Sequence, residues 1–218
     1  MERSVFITAD GSHSVTVPQL NVTYHSRHGA VQESRHIFIE AGLKEMLKRK
    51  GDISIFELGF GTGLNALLTL MEDGNFYYET TELFPLDVSV AATLNYTNIL
   101  NRQDLQPAFM QLHECEWNTT CTITDRFLLL KRNENIRDVI LTNRFDLVYF
   151  DAFDPAAQPE LWGVNIFSKL FKAMNSGGLL LTYCSKGAVR RAMQEAGFKV
   201  EKIPGPKGKR EVVRAIAC

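Results

Sequence analysis

The stretch "IFELGFGTGLN", Ile55–Asn65, runs an apolar segment into glycines at alternate positions, Gly59, Gly61 and Gly63, and continues as the amphipathic "LNALLTLM". Strand, glycine turn and helix in that order open an α/β unit. Working outward, "ISIFEL" is a strand, Leu64–Met71 a helix, "FYYETTEL" a strand, and Pro85–Leu100 a helix with Pro85 suited to its first turn. On the N-terminal side stand the strand "HSVTV", an extended piece around Tyr24 and an amphipathic helix from about Glu33 to Lys48, with Ile37, Phe38, Ala41, Leu43 and Leu47 along one side. On the C-terminal side, "FMQLHECEW" and "CTITDRFLLLK" read as strands, followed by a short helix near Ile136–Leu141, the strand "FDLVYF" and a helix around Glu160–Met174. "GGLLLTYC", a helix Ala188–Ala196, and a hairpin of "FKVEKIP" and "REVVRAIA" around "GPKGK" complete the chain. This alternation predicts a Rossmann-like α/β fold: a mainly parallel, doubly wound sheet with one antiparallel strand from a C-terminal hairpin, and a small N-terminal β appendage.

Composition narrows the class. The 218 residues, 45% of them hydrophobic, can bury a large core, and no repeat or low-complexity linker divides them. The net charge of -1 advertises neither a nucleic-acid nor a membrane partner for the chain as a whole. Cys115, Cys121, Cys184 and Cys218 form no CxxC or Cys/His pattern, and the histidines His13, His25, His28, His36 and His113 show no ligand spacing, so no metal is expected. The N-terminus lacks a signal-peptide pattern and no apolar window approaches a membrane span. Reduced thiols, a cytoplasmic location and chance Asn-x-Thr matches at Asn21, Asn95 and Asn118 are the expectations.

In doubly wound sheets ligands sit beyond the carboxyl ends of the strands, so the glycine turn leaving this strand marks a nucleotide-like site. A dinucleotide fingerprint would need a glycine at position 64, where Leu64 stands. Glu57, two residues ahead of Gly59, would repel a pyrophosphate; it suits a ligand carrying an amine. Glu82 closes the next strand at the distance where a carboxylate accepts hydrogen bonds from ribose hydroxyls. Together with Asn65 at the helix start, these residues form a signature for S-adenosylmethionine.

A second constellation is "FDLVYFDAFDPAAQPELW", Phe145–Trp162. An apolar strand ends on Asp151 and delivers Phe153 and Pro155 into a loop, with Trp162 soon after. A carboxylate at a strand tip beside aromatic walls can orient a substrate amine near a donor methyl, a transfer that needs positioning and desolvation rather than a protein nucleophile.

The runs "FELGFGTGLNALLTL", "TELFPLD", "DAFDPAAQPELW" and "GGLLLTYCSKGAVRRAMQEAGFKVEKIPGPKGKRE", with "YHSRHGAVQESRHIFIEAGL" ahead of them, resemble the methyltransferase domain of the MnmC-type tRNA-modifying enzymes over most of the chain. The resemblance divides the chain into an appendage over residues 1–50 and an S-adenosylmethionine-dependent methyltransferase domain over 51–218. It implies methylation of the exocyclic amine of 5-aminomethyl(-2-thio)uridine at the tRNA wobble position. It further implies that Glu57, Gly59, Gly61, Gly63 and Glu82 hold cofactor and that Asp151 faces the methyl and the acceptor amine. Where the family usually shows Gly-Asp, "LLLKRNENI" puts Asn133 at the adenine position. Bifunctional members carry a flavin domain for which 218 residues leave no room, so the amine is expected from a separate enzyme.

Between Lys186 and Arg214 stand nine basic residues (Lys186, Arg190, Arg191, Lys199, Lys202, Lys207, Lys209, Arg210, Arg214) against three acids. The segment "GPKGKR", with Lys209 and Arg210, suits an RNA backbone clamp, and Phe153, Pro155 and Trp162 an unstacked base of an anticodon loop. Two other classes stay open: an S-adenosylmethionine enzyme, methyltransferase or aminopropyltransferase, on another small amine or macromolecule, and a non-catalytic RNA-binding scaffold that retains the fold.

Overall fold

The computed structural model describes residues 2–218. Two sheets organise it. An antiparallel meander, β1 (Ser4–Ile7), β2 (His13–Val17) and β3 (Val22–Thr23), leads into a continuous helix: α1 (Ala30–Ser34), a π-helical stretch Arg35–Leu43, and α2 (Lys44–Leu47). Its apolar residues Ile37, Phe38, Ile39 and Leu43 are buried. Gly42 is the close-approach point, since a Cβ there would lie 2.9 Å from the Leu181 side chain.

The main sheet has eight strands: β4 (Asp52–Leu58), β5 (Asn75–Thr81), β6 (Thr120–Thr124), β7 (Phe127–Arg132), β8 (Phe145–Phe150), β9 (Met174–Thr182), β10 (Phe198–Pro204) and β11 (Glu211–Ala217). Their spatial order is β10-β11-β9-β8-β4-β5-β7-β6. The pairs β4–β5, β4–β8, β5–β7 and β8–β9 are parallel. Alternation explains how the sheet buries both faces: Ile55, Leu147 and Tyr149 point into one core, while Phe56, Val148 and Phe150 point into the other. The helices that cover it are α3 (Leu64–Leu70), α4 (Val88–Ala91), α5 (Tyr96–Ile99), α6 (Gln106–Glu114), α7 (Val164–Ala173) and α8 (Gly187–Glu195).

Four expectations need correcting. "FMQLHECEW" is largely helix α6, not strand, because its buried residues Phe109, Leu112 and His113 follow helical spacing and Pro107 sits in the first turn. Besides β11, β6 also runs against its neighbour, pairing antiparallel with β7. The span Pro85–Leu100 is two short helices, because Asn95 between them reaches away to the N-terminal sheet, accepting from His13 N–H (2.8 Å) and donating to the Gly11 carbonyl (2.9 Å). Ile136–Leu141 is a loop whose carbonyls turn outward to one ammonium: Lys169 Nζ donates to Ile136 O (2.8 Å), Arg137 O (2.7 Å) and Val139 O (3.0 Å).

From β4 the chain steps outward to β5 and β7, then returns to β8 on the other side and continues to β9. The carboxyl ends of β4 and β8 are therefore the switch point of the sheet, where a crevice opens.

Candidate active site

That crevice is a cavity of ≈ 210 Å³ bounded by the glycine turn after β4, the tips of β5 and β8, the loop after β7, and side chains from the N-terminal segment. Gly59, Gly61 and Gly63 all have positive φ, at 90°, 52° and 71°. Gly61 is the tightest on the cavity side: an added Cβ would lie 3.0 Å from the Tyr24 ring. Gly63 is pinned from behind, where a Cβ would lie 2.8 Å from His113 Nε2. That nitrogen lies 3.1 Å from the Thr62 carbonyl, and burial holds the imidazole neutral by lowering its pKa to about 4, so its N–H can donate there.

The Glu82 carboxylate anchors the turn to β5, accepting from Gly61 N–H (3.1 Å) and Phe84 N–H (2.8 Å). Asn65, in the first turn of α3, ties the turn to β8. Its amide donates to Glu57 Oε1 and to Asp151 Oδ2, each at 2.9 Å. Burial pushes the Asp151 carboxyl up to about 7, against the Asn65 hydrogen bond; Glu33 pushes it further up and Lys209 pulls it down. Burial also raises Glu57 well above the usual carboxylate range.

Of the residues singled out from the sequence, Gly59, Gly61, Asn65, Glu82, Asp151 and Phe153 line the cavity together. The others stand back from it. Glu57 is 1% exposed and lies under the floor, reaching the cavity through Asn65. Asn133 donates to the Glu82 carbonyl (2.9 Å) and fastens the strand tip, while Asn135, Ile136 and Arg137 form that wall. Trp162 is a buried prop: its ring packs on Phe150 at 4.7 Å and its indole N–H donates to the Phe153 carbonyl (2.8 Å). Pro155 is half-buried and off the wall. Lys209, expected on phosphate, pairs with Glu33 and lies 4.3 Å over the Tyr183 ring. Arg210 is exposed on the hairpin tip.

Tyr24 and Arg3 are among the wall residues that the sequence reading missed. Tyr24 packs edge-on to Phe153 with ring centroids 5.2 Å apart, and Arg3 donates to the carbonyls of Phe84 and Pro85, so the N-terminal segment crosses the mouth of the cavity. Only the Tyr24 position inside "YHSRHGAVQESRHIFIEAGL" could have signalled this.

The donor set fits a ligand that brings N–H and hydroxyl donors. Asn65 Oδ1, on the cavity lining, is buried without a hydrogen-bond partner, and Glu82 faces the cavity from the end of β5. The glycine turn lets backbone reach that ligand.

Comparison with known proteins assigns the class. A family model described as "S-adenosyl-L-methionine-dependent methyltransferase" matches residues 102–217, and the chain belongs to that family. Within it, the chain is similar to the methyltransferase part of MnmC proteins. It is 32% identical over 208 residues to the tRNA 5-methylaminomethyl-2-thiouridine biosynthesis bifunctional protein MnmC of Nitrosospira multiformis, covering 88% of this chain and 33% of that protein. With the protein of the same name from Burkholderia thailandensis it shares 31% identity, covering 92% and 33%. The chain thus spans about a third of the length of these curated relatives. Among solved structures, MNMC2 from Aquifex aeolicus superposes with a TM-score of 0.77 at 24% identity, over 100% of this chain and 70% of that one. Spermidine synthase from Thermotoga maritima superposes at 0.63 and 14%, over 99% and 69%. Both establish the Rossmann-like fold.

Proposed function

We propose that this protein transfers one methyl group from S-adenosylmethionine to the exocyclic amine of 5-aminomethyl(-2-thio)uridine at the wobble position of a tRNA, in the cytoplasm. The observation that carries the reading is Asp151: a cavity-facing carboxylate at the tip of β8, tied through Asn65 to the glycine turn, with its pKa pushed up to about 7. When bound, S-adenosylmethionine supplies an electrophilic methyl on a sulfonium. Glu82 would accept from its ribose hydroxyls, Gly59 and Gly61 would let backbone approach it, and Asn65, backed by Glu57, would receive its amine.

A primary alkylamine is mostly protonated at neutral pH and has no lone pair to offer in that state. A carboxylate with a pKa near 7 is matched to take a proton from the ammonium form and to hold the neutral amine in line. Tyr24 and Phe153 supply the apolar walls that keep water out, and Trp162 holds the Phe153 backbone in place. Lys207, Arg210, Arg190 and Arg191, which form no ion pair among the described residues, would meet RNA phosphates. The MnmC relatives support the acceptor, since their name places them in 5-methylaminomethyl-2-thiouridine biosynthesis.

The test is methyl incorporation into tRNA from a strain lacking the endogenous activity, followed by nucleoside mass analysis. Conversion of 5-aminomethyl(-2-thio)uridine to its monomethyl form is expected. Binding of S-adenosylmethionine with that tRNA left unmethylated, while a small amine is methylated or aminopropylated, would reject the acceptor.

A further inference from the structure

The turn of the β10–β11 hairpin folds back onto the N-terminal helix beside the acceptor end of the cavity. Lys209 N–H donates to Pro206 O (2.9 Å), and Gly208, with φ of 92°, has no room for a side chain because its Cβ would lie 2.8 Å from the His28 ring. His36 Nε2 contacts the Pro204 carbonyl at 2.9 Å. The turn is thereby fixed, and it carries Lys209 inward onto Glu33 and over Tyr183. Both partners are themselves held. Glu33 Oε2 accepts from Ser26 N–H (3.0 Å), and the Tyr183 hydroxyl donates to the carbonyl of Ala152, the residue after Asp151 (2.8 Å).

We propose that Lys209 and Glu33 are an opposed pair of positioning residues that set the charge state of Asp151 from outside the cavity, so that the hairpin turn governs the acceptor site through electrostatics rather than by touching RNA. The proposal rests on the reading of Asp151 as the residue that receives the amine. The groups facing Asp151 come from every element around it: Asn65 and Glu57 through the glycine turn, Tyr78 on β5, Tyr183 after β9, Glu33 on α1 and Lys209 on the hairpin. Glu57 and both tyrosines are buried, and burial favours their neutral forms at neutral pH. The adjustable charges are therefore Lys209, which favours the Asp151 carboxylate, and Glu33, which disfavours it. With the two held together, their effects oppose each other. If either is removed, the other acts alone.

The experiment is a pH titration of the Asp151 carboxyl carbon by NMR in the full chain labelled at aspartate, the resonance being assigned by its loss in Asp151→Asn. In Lys209→Met the midpoint should rise, and in Glu33→Gln it should fall, each by about half a pH unit for a neighbouring charge partly screened by solvent. The double variant should return close to the parent. The acid limb of the kcat profile should move in the same directions. A midpoint unmoved in both single variants overturns the proposal. So does a shift of both in the same direction, which is what mere loosening of the turn would give. If Glu33→Gln fails to fold, Lys209→Arg keeps the test open, because it retains the charge and should leave the midpoint in place. The titration needs neither cofactor nor tRNA, so its failure and a failure of the tRNA assignment are separately visible.

Discussion

The two halves of the cavity are built in different ways. The half beside the glycine turn is local: β4, the turn, Asn65 and the tip of β5 come from residues 52–82, and their geometry is set by backbone conformation and short hydrogen bonds. The half beside Asp151 is assembled from distant parts: Tyr24 near one end of the chain, Phe153 and its Trp162 prop in the middle, and behind them the ion pair of Lys209, near the other end, with Glu33. A site made locally tolerates change elsewhere in the fold. One made from distant segments depends on the packing of all of them, so the two halves should respond differently to substitution.

The largest effect is expected in the assembled half. Asp151→Asn keeps the amide-sized group but loses the proton acceptor, and kcat should fall by about 10²–10⁴-fold while cofactor affinity changes little. Single-turnover methylation paired with calorimetry checks both numbers; a collapse of cofactor affinity alone would move Asp151 to the other half. Gly61→Val challenges the local half. A branched side chain at φ of 52°, already 3.0 Å from Tyr24 at its Cβ, should weaken S-adenosylmethionine binding by about 100-fold or more and so lower activity by the same route. Equal affinity in that variant, measured by calorimetry, would show that this turn does not hold the cofactor.

A smaller effect is expected at the rim. Lys207→Glu with Arg210→Glu should weaken tRNA binding by about tenfold at moderate salt and reduce the salt slope by about two, leaving cofactor affinity intact. Filter binding across a salt series measures it. Smallest is a stability effect. Asp151 has a raised pKa in the fold, so between its ordinary value near 3.8 and about 7 the folded state binds more protons than the unfolded one, and this group's contribution declines as pH rises through that window. Asp151→Asn should therefore raise Tm by a few degrees at pH 8 and by almost nothing below pH 4. His25 and His113, lowered to about 4 by burial, act in the opposite sense: their contribution is full above about 6.5 and is lost as pH falls toward 4. Thermal scans of the two proteins at matched pH isolate the Asp151 difference.

The same contrast decides how much was legible in the sequence. Strand β8, "FDLVYF", is buried at every position and bounded by polar residues, and its limits were readable to the residue. The glycine turn was readable because positive φ at Gly59, Gly61 and Gly63 is a property of the residues themselves. Tyr24 was not, because nothing local tells a strand-edge tyrosine from one that covers a turn some 37 positions later. The pairing of Lys209 was hidden for a related reason: in a basic run it looks like its neighbours Lys207 and Arg210, and only the fold brings Glu33 to it. "FMQLHECEW" was read as a strand although Pro107 just ahead of it suits a helix's first turn, and the buried set Phe109, Leu112 and His113 follows the helix.

Asn65 spends both hydrogens of one amide on two carboxylates, one from each half of the cavity. That economy restricts how such an enzyme can diversify. Exchanging Asp151 for a group that cannot accept would leave an amide hydrogen unpaired in a buried position, at a cost of about 1–3 kcal/mol, and would slacken the glycine turn at the same time. New acceptor preferences should therefore arise in residues that touch neither Asn65 nor its partners, such as Tyr24, Phe153 and Gln158 along the outer wall, while the three-residue clasp stays fixed through the change.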